Sequence, residues 1–300
     1  MSDLKISIGL FGLENLYEGD PRGYLEVAKI AEKKGIDYIT ITDHVIMGER
    51  TDRYPFGEFP VPLEYPWFEP LSVLSSIAAV TDTIKLSNGI LISPLRSAVL
   101  LAKASATLDV ISNGRFELGI GTGWQKEEYE ASGLNFDIRL ETLDDQLGAI
   151  KQLWTTSPSN FSGKHLSFKK VYSLPHPIQE DGIPLWFGMI ANDQNADRIA
   201  EHGIGWVPIQ ANPKFISAGV KILKDGFSRY GRDPETLRVR GQLQMSFDDQ
   251  GIPNIDKTLE NLEAGLTAGI TDLEIFPSGF ITNKKDLSNF LEKIANLKNR

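Results

Sequence analysis

Short apolar runs alternate with helical patterns eight times along this chain, and that alternation narrows its folds more than any single motif. The runs are Lys5 to Leu10, Tyr38 to Thr42, Ile84 to Ile90, Phe116 to Ile120, Leu185 to Gly188, Trp206 to Ile209, Leu237 to Phe247 and Leu273 to Phe276. The helical segments read Pro21 to Lys34, Pro70 to Val80, Leu95 to Ile111, Glu141 to Trp154, Asn195 to Glu201, Pro213 to Tyr230, Ile255 to Ala268 and Lys284 to Leu297. A helix after each strand implies parallel strands joined by crossovers, and eight repeats suit closure into a (β/α)8 TIM barrel. An open doubly wound sheet is the runner-up. Against it, no Gly-x-Gly-x-x-Gly follows the first strand and no Walker lysine occurs. Residues 1–300 therefore read as a single domain, with insertions at about 46–67, 122–140 and 155–184. The first insertion gathers Pro55, Gly57, Pro60, Pro62 and Pro66 among aromatics. An irregular loop of that length in a compact domain is usually functional, so a lid is expected.

Composition removes several classes of function. A net charge of −9 speaks against a nucleic-acid partner, which needs concentrated Lys and Arg. The chain has no Cys, so disulfides, thiolate metal sites and cysteine nucleophiles are excluded. His44, His165, His176 and His202 share no metal-ligand spacing, and no metal is expected. No apolar run approaches a membrane span, and Met1-Ser2-Asp3-Leu4-Lys5 does not resemble a secretion signal. A cytoplasmic protein with no membrane partner is the expectation.

The chemistry gathers where strands end. In a barrel, Asp43 and His44 after the second strand place an acid and an imidazole at the mouth, where catalytic residues sit. Imidazole moves protons near neutral pH. A solvated strand-to-loop junction is the plainer alternative. After the fourth strand, Gly119-Ile120-Gly121-Thr122-Gly123-Trp124 repeats glycine at every second position, which lets backbone approach a ligand closely. Asn88-Gly89-Ile90 suggests a bulge in the third strand, and Gly188 before Met189-Ile190 opens a helix start suited to phosphate. Glu127, Glu128 and Glu130 read as a solvated helix face. No Gly-x-Ser-x-Gly elbow supports serine hydrolysis, and a non-flavin barrel hydrolase stays only as a residual reading.

Taken in order, these pieces resemble the bacterial luciferase-like monooxygenase superfamily, in the branch of coenzyme F420-dependent oxidoreductases. The resemblance rests on Gly35-Ile36-Asp37-Tyr38 leading to Asp43-His44, on Glu64 to Pro70, and on Ala78-Ala79-Val80-Thr81. It continues through Leu101-Ala102-Lys103, Leu108 to Trp124, Pro175 to Gln179 and Gly205-Trp206, covering roughly residues 5 to 280. It implies a barrel that holds a deazaflavin or flavin at its carboxyl mouth. A bulge at Asn88-Gly89-Ile90, often with a non-proline cis peptide in relatives, would back the ring. His44 would give or take a proton beside hydride transfer, with Asp43 orienting it. Gly121, Gly123, Gly188 and Ile190 would meet the phosphate tail, and Trp124 would touch the cofactor. This chain has Gly188-Met189 where relatives often have two glycines. It also has Trp124 where the sugar-phosphate dehydrogenase branch keeps a catalytic glutamate, which argues against that substrate.

The resemblance thus implies an F420-dependent oxidoreductase acting on a small organic substrate. Two alternatives stand beside it: a reduced-FMN-dependent monooxygenase fed by a separate flavin reductase, and a non-catalytic flavin-binding barrel. Relatives often form dimers, so a homodimer is a further expectation.

Overall fold

A computed structural model describes residues 4–299 and shows a closed eight-stranded parallel barrel wrapped in helices. The barrel strands are β1 (Lys5–Gly9), β2 (Tyr38–Ile41), β3 (Lys85–Asn88), β4 (Phe116–Gly121), β5 (Leu185–Phe187), β6 (Gly205–Trp206), β7 (Arg238–Gly241) and β8 (Asp272–Ile275). Each pairs in parallel with its neighbours, and β1 pairs with β8 to close the ring. The TIM barrel is therefore the architecture, and the open sheet is not.

Strand alternation explains the hydrophobic runs. Ile6, Ile8, Ile39, Leu86, Phe116, Leu118, Phe187 and Leu273 are buried in the shell between strands and helices. The intervening residues point inward, which hydrogen bonds between non-adjacent strands establish. Thr40 donates to Glu274 at 2.7 Å, Arg240 to Ser87 at 2.9 Å, and Tyr38 to Glu117 at 3.0 Å. The barrel interior is polar, and it is tied across its width.

The helices that frame the mouth are α1 (Gly23–Lys33), α2 (Pro70–Ala78), α3 (Ala98–Ile111), α4 (Lys126–Ala131), α5 (Arg139–Thr155), α6 (Asp193–His202) and α7 (Pro213–Arg229). Several sequence expectations change, and the seventh strand, expected to run on to Phe247, ends at Gly241. The third strand is not continuous to Ile90: it breaks after Asn88, passes through a cis Gly89–Ile90 peptide and resumes as Leu91–Ile92, which pairs with β4. The helix expected over 255–268 is two pieces, Ile255–Leu259 and Leu262–Ala268. The insertion at 155–184 contains an antiparallel hairpin, Ser159–Ser162 with Ser167–Val171. Its turn is tied to α5, because the Asp145 carboxylate accepts the backbone N–H groups of Lys164, His165 and Leu166. Those bonds carry Asp145 below the usual carboxylate range against the opposing effect of burial. Among the described residues, no helix is long and apolar enough to cross a membrane, and no acid–histidine cluster could hold a metal.

Candidate active site

The mouth is built around His44, three residues past the end of β2. Its Nδ1 lies 3.0 Å from the Glu128 carboxylate, which is itself completely buried. The other Glu128 oxygen accepts the Val45 N–H at 2.7 Å. One acid therefore orients the imidazole and also holds the backbone that follows it. Nε2 makes no hydrogen bond within the described residues, so it is the ring nitrogen free to meet another group.

Asp43 does not orient His44, contrary to the sequence expectation. Its carboxylate accepts the Ile92 N–H at 2.8 Å and takes Arg96 in a two-pronged pair at 2.7 and 3.0 Å. Asp43 thus anchors the resumed third strand to the loop after β2. The solvated acidic face also needs correcting. Glu130 lies outward, Glu127 is partly exposed beside Arg53 with one carboxylate oxygen buried and unpartnered among the described residues, and Glu128 turns into the protein with Gln125 and Tyr129. Positions three and four apart share one face of a helix, and that spacing was the signal available in the sequence. Gln125 reads both polar groups of Gly48, accepting its N–H at 2.8 Å and donating to its carbonyl at 2.9 Å.

Beyond Gly48 the chain folds back as an aromatic cover. Trp67, Phe59 and Trp124 pack against the His44 ring with centroids 4.7, 6.1 and 6.1 Å away. Tyr54 packs on Trp124 at 5.2 Å, and Phe11 on Trp67 at 5.6 Å. The far end of the cover is pinned where the Tyr65 hydroxyl accepts the Gly12 N–H at 2.9 Å. Burial and the nearby Glu14 carboxylate push that phenol well above its ordinary value, so it stays protonated.

The alternate glycines meet a different partner from the one expected. A Cβ on Gly119 would lie 2.0 Å from the Asn88 carbonyl, on Gly121 2.3 Å from Ile90 Cδ1, and on Gly123 2.9 Å from Ile92 Cγ2. One on Gly188 would lie 2.7 Å from Ile90 Cγ2. The glycine face of β4 therefore receives residues 88, 90 and 92 of the broken strand, and isoleucine side chains fill the space above Gly121, Gly123 and Gly188. Their backbone edges, not an open cradle, are what a ligand could meet. Ile190 stands on the rim, about half exposed.

Three further residues carry signals that sequence reasoning missed or left undeveloped. Asn88 is wholly buried, and neither its side-chain amide nitrogen nor its oxygen has a partner among the described residues. Glu274 lies beneath Gly89, its carboxylate oxygen 3.1 Å from where a Gly89 Cβ would sit, and burial pushes its carboxyl group up. Arg139, the first residue of α5, stacks on Phe136 at 3.8 Å and donates to that residue's carbonyl at 3.0 Å. Its Nε is buried without a partner, and no carboxylate lies within ion-pair distance among the described residues.

Comparison with known proteins places the chain in a family. The luciferase-like monooxygenase family model matches residues 7–265. An uncharacterised protein of Mycobacterium tuberculosis is 29% identical over 210 residues, 69% of this chain and 74% of that one. The pyrimidine monooxygenase of Pseudomonas syringae pv. syringae is 36% identical over 114 residues, 36% of this chain and 31% of that one. In fold, the coenzyme F420-dependent tetrahydromethanopterin reductase of Methanopyrus kandleri matches with a TM-score of 0.75 at 18% identity, covering 98% of both chains. With the family model running through seven of the eight barrel strands, the chain belongs to the luciferase-like monooxygenase family and is an oxidoreductase of that kind.

Proposed function

We propose that the enzyme transfers hydride between coenzyme F420 and a small organic substrate, with His44 moving the accompanying proton. The observation that carries this reading is the His44–Glu128 pair, a proton-handling ring fixed at Nδ1 by a buried carboxylate under an aromatic cover. The residues present fit a flat heteroaromatic group with a phosphate tail. The unpartnered amide of Asn88 offers one donor and one acceptor to the polar edge of a ring, beside Gly89 and Ile90. The unpaired guanidinium of Arg139 would hold phosphate, together with the backbone edges of Gly121 and Gly123. Gly188, Ile190 and Trp124 border the same mouth.

When bound, the deazaflavin supplies the hydride donor or acceptor. His44 Nε2 gives a proton to the substrate oxygen, or takes it in the reverse direction. Glu128 keeps the ring in one orientation and favours a proton on Nδ1. Phe59, Trp67 and Trp124 exclude water from that exchange. Asp43 supports the strand break through Arg96 and does not touch the substrate.

Reduced-FMN-dependent monooxygenation is the second reading, supported by the match to the pyrimidine monooxygenase over about a third of this chain. It would add a flavin reductase as partner. A homodimer is compatible with either reading. Separate fluorescence titrations with F420 and FMN decide between them, and micromolar binding of FMN alone would sink the deazaflavin reading. His44→Asn should lower turnover ~100- to 10,000-fold with cofactor affinity nearly intact, the range expected for lost acid–base catalysis. An unaltered rate removes His44 from the mechanism.

A further inference from the structure

The five tryptophans of this protein divide into two groups by what their indole N–H groups do. Trp154 donates to the Ala102 carbonyl at 3.0 Å, Trp186 to the Glu117 carboxylate at 2.7 Å, and Trp206 to the Met189 carbonyl at 2.8 Å. Trp67 and Trp124 have no acceptor among the described residues, although both N–H groups are buried. These two are also the tryptophans that pack against His44. Buried donors in folded proteins are nearly always satisfied, so a pair left open on one catalytic ring calls for an acceptor brought from outside.

The charges around the cover restrict that acceptor. Arg53 lies 3.5 Å from Glu127, Arg96 is held by Asp43, and Glu128 by His44. Arg139 packs on Phe136, which is not among the rings of the cover. Among the described residues, a carboxylate or phosphate lying against the rings of the cover would find no uncommitted arginine or lysine beside them; Arg139 is free of a carboxylate but stacks on Phe136 instead. Tyr54, Phe59, Trp67 and Trp124 present ring faces and edges, which suit a flat molecule.

We propose that Trp67 and Trp124 select the substrate, and that it is a neutral, flat carbonyl compound, such as an amide, imide or aryl ketone, whose oxygens accept from the two indole N–H groups. The inference rests on the mouth beside His44 being the reacting site. A site built to donate discriminates against analogues that lack the acceptor, because its buried groups are then left unpaired.

The test uses protein labelled with ¹⁵N at the indole nitrogens, with and without the cofactor that binds it. Three probes of similar size are titrated: benzamide, benzoate and ethylbenzene. Benzamide should move two of the five indole signals downfield, and Trp67→Phe and Trp124→Phe should each delete one of those two. The other three signals should stay in place as internal controls. Benzoate should bind more weakly than benzamide, and ethylbenzene should produce no downfield shift. Each Trp→Phe change should weaken benzamide about two- to tenfold, the worth of one neutral hydrogen bond, with ethylbenzene nearly unaffected. Benzoate binding as tightly as benzamide, no shift of the two signals, or no binding of benzamide overturns the proposal. Where a variant fails to fold, the wild-type shifts and probe ranking decide. Intact shifts in a protein that binds neither F420 nor FMN would sink the hydride-transfer reading and leave this one standing. Cofactor binding without the shifts would do the reverse.

Discussion

The floor and the mouth of this barrel treat polar groups in opposite ways. At the floor, Glu117 receives Lys85 at 2.6 Å, Trp186 at 2.7 Å and Tyr38 at 3.0 Å, with Arg238 and Arg240 within 3.8 Å. Arg238 is also paired with Asp272. The Arg240 guanidinium, whose Nε and Nη2 have no hydrogen-bond partner, lies against the rings of Tyr38 and Trp186 at 4.7 and 4.2 Å. At the mouth, Asn88, Trp67, Trp124 and Arg139 keep buried polar atoms with neither a partner nor a charge to balance. The contrast separates polar groups that are paired with one another from groups left without a partner, which on the proposed function are the ones a ligand would meet.

The largest effect should come from breaking the floor. Glu117→Leu leaves Lys85, Arg238 and Arg240 without their shared acid and should cost about 3–5 kcal/mol in urea unfolding. A loss under about 1 kcal/mol would mean that the floor is no more committed than the mouth. Glu128→Gln tests the opposite end. It should leave the unfolding midpoint near wild type and lower turnover ~10- to 100-fold, because Gln retains a hydrogen bond to His44 without the charge. A large stability loss with unchanged turnover would make Glu128 a structural clamp only.

The smallest effect is one of pH. Burial alone would raise the Glu117 carboxyl, but Lys85, Arg238 and Arg240 together hold it below its ordinary value of 4.5. Its folded-state pKa is therefore depressed. Its contribution is present above pH 4.5 and is lost as pH falls through the lower folded-state value. Thermal melts of wild type should accordingly fall faster with acidification below that point than melts of Glu117→Gln. Parallel curves would remove Glu117 from the acid response.

How much could be read in advance follows the same division. The eight strands were legible because their outward faces are buried against helices and appear as Ile, Leu, Val and Phe. The hairpin at 159–171 was not, since residues such as Asn160, Lys169 and Lys170 face solvent and leave no apolar alternation. Asp43 and His44 were found as a pair by their position at a strand end, but their partners come from residues 49 to 84 positions away. Local spacing carries no information about such contacts, so the role of orienting His44 fell to the wrong acid. The glycine repeat was visible as well. Its meaning lay in the side chains of a different strand.

The cover over His44 is fastened at its two ends and little between. Gln125 and Glu128 grip the backbone at Val45 and Gly48, and Gly12 grips Tyr65. Between these points, contact with the rest of the mouth runs through Tyr54 and Phe59 and one ion pair from Arg53. A segment attached in this way is an exchangeable cassette. Among the ring contacts of the described residues, 49–64 reach His44 through Phe59, so rewriting them would leave the hydrogen bonds of the His44–Glu128 pair in place.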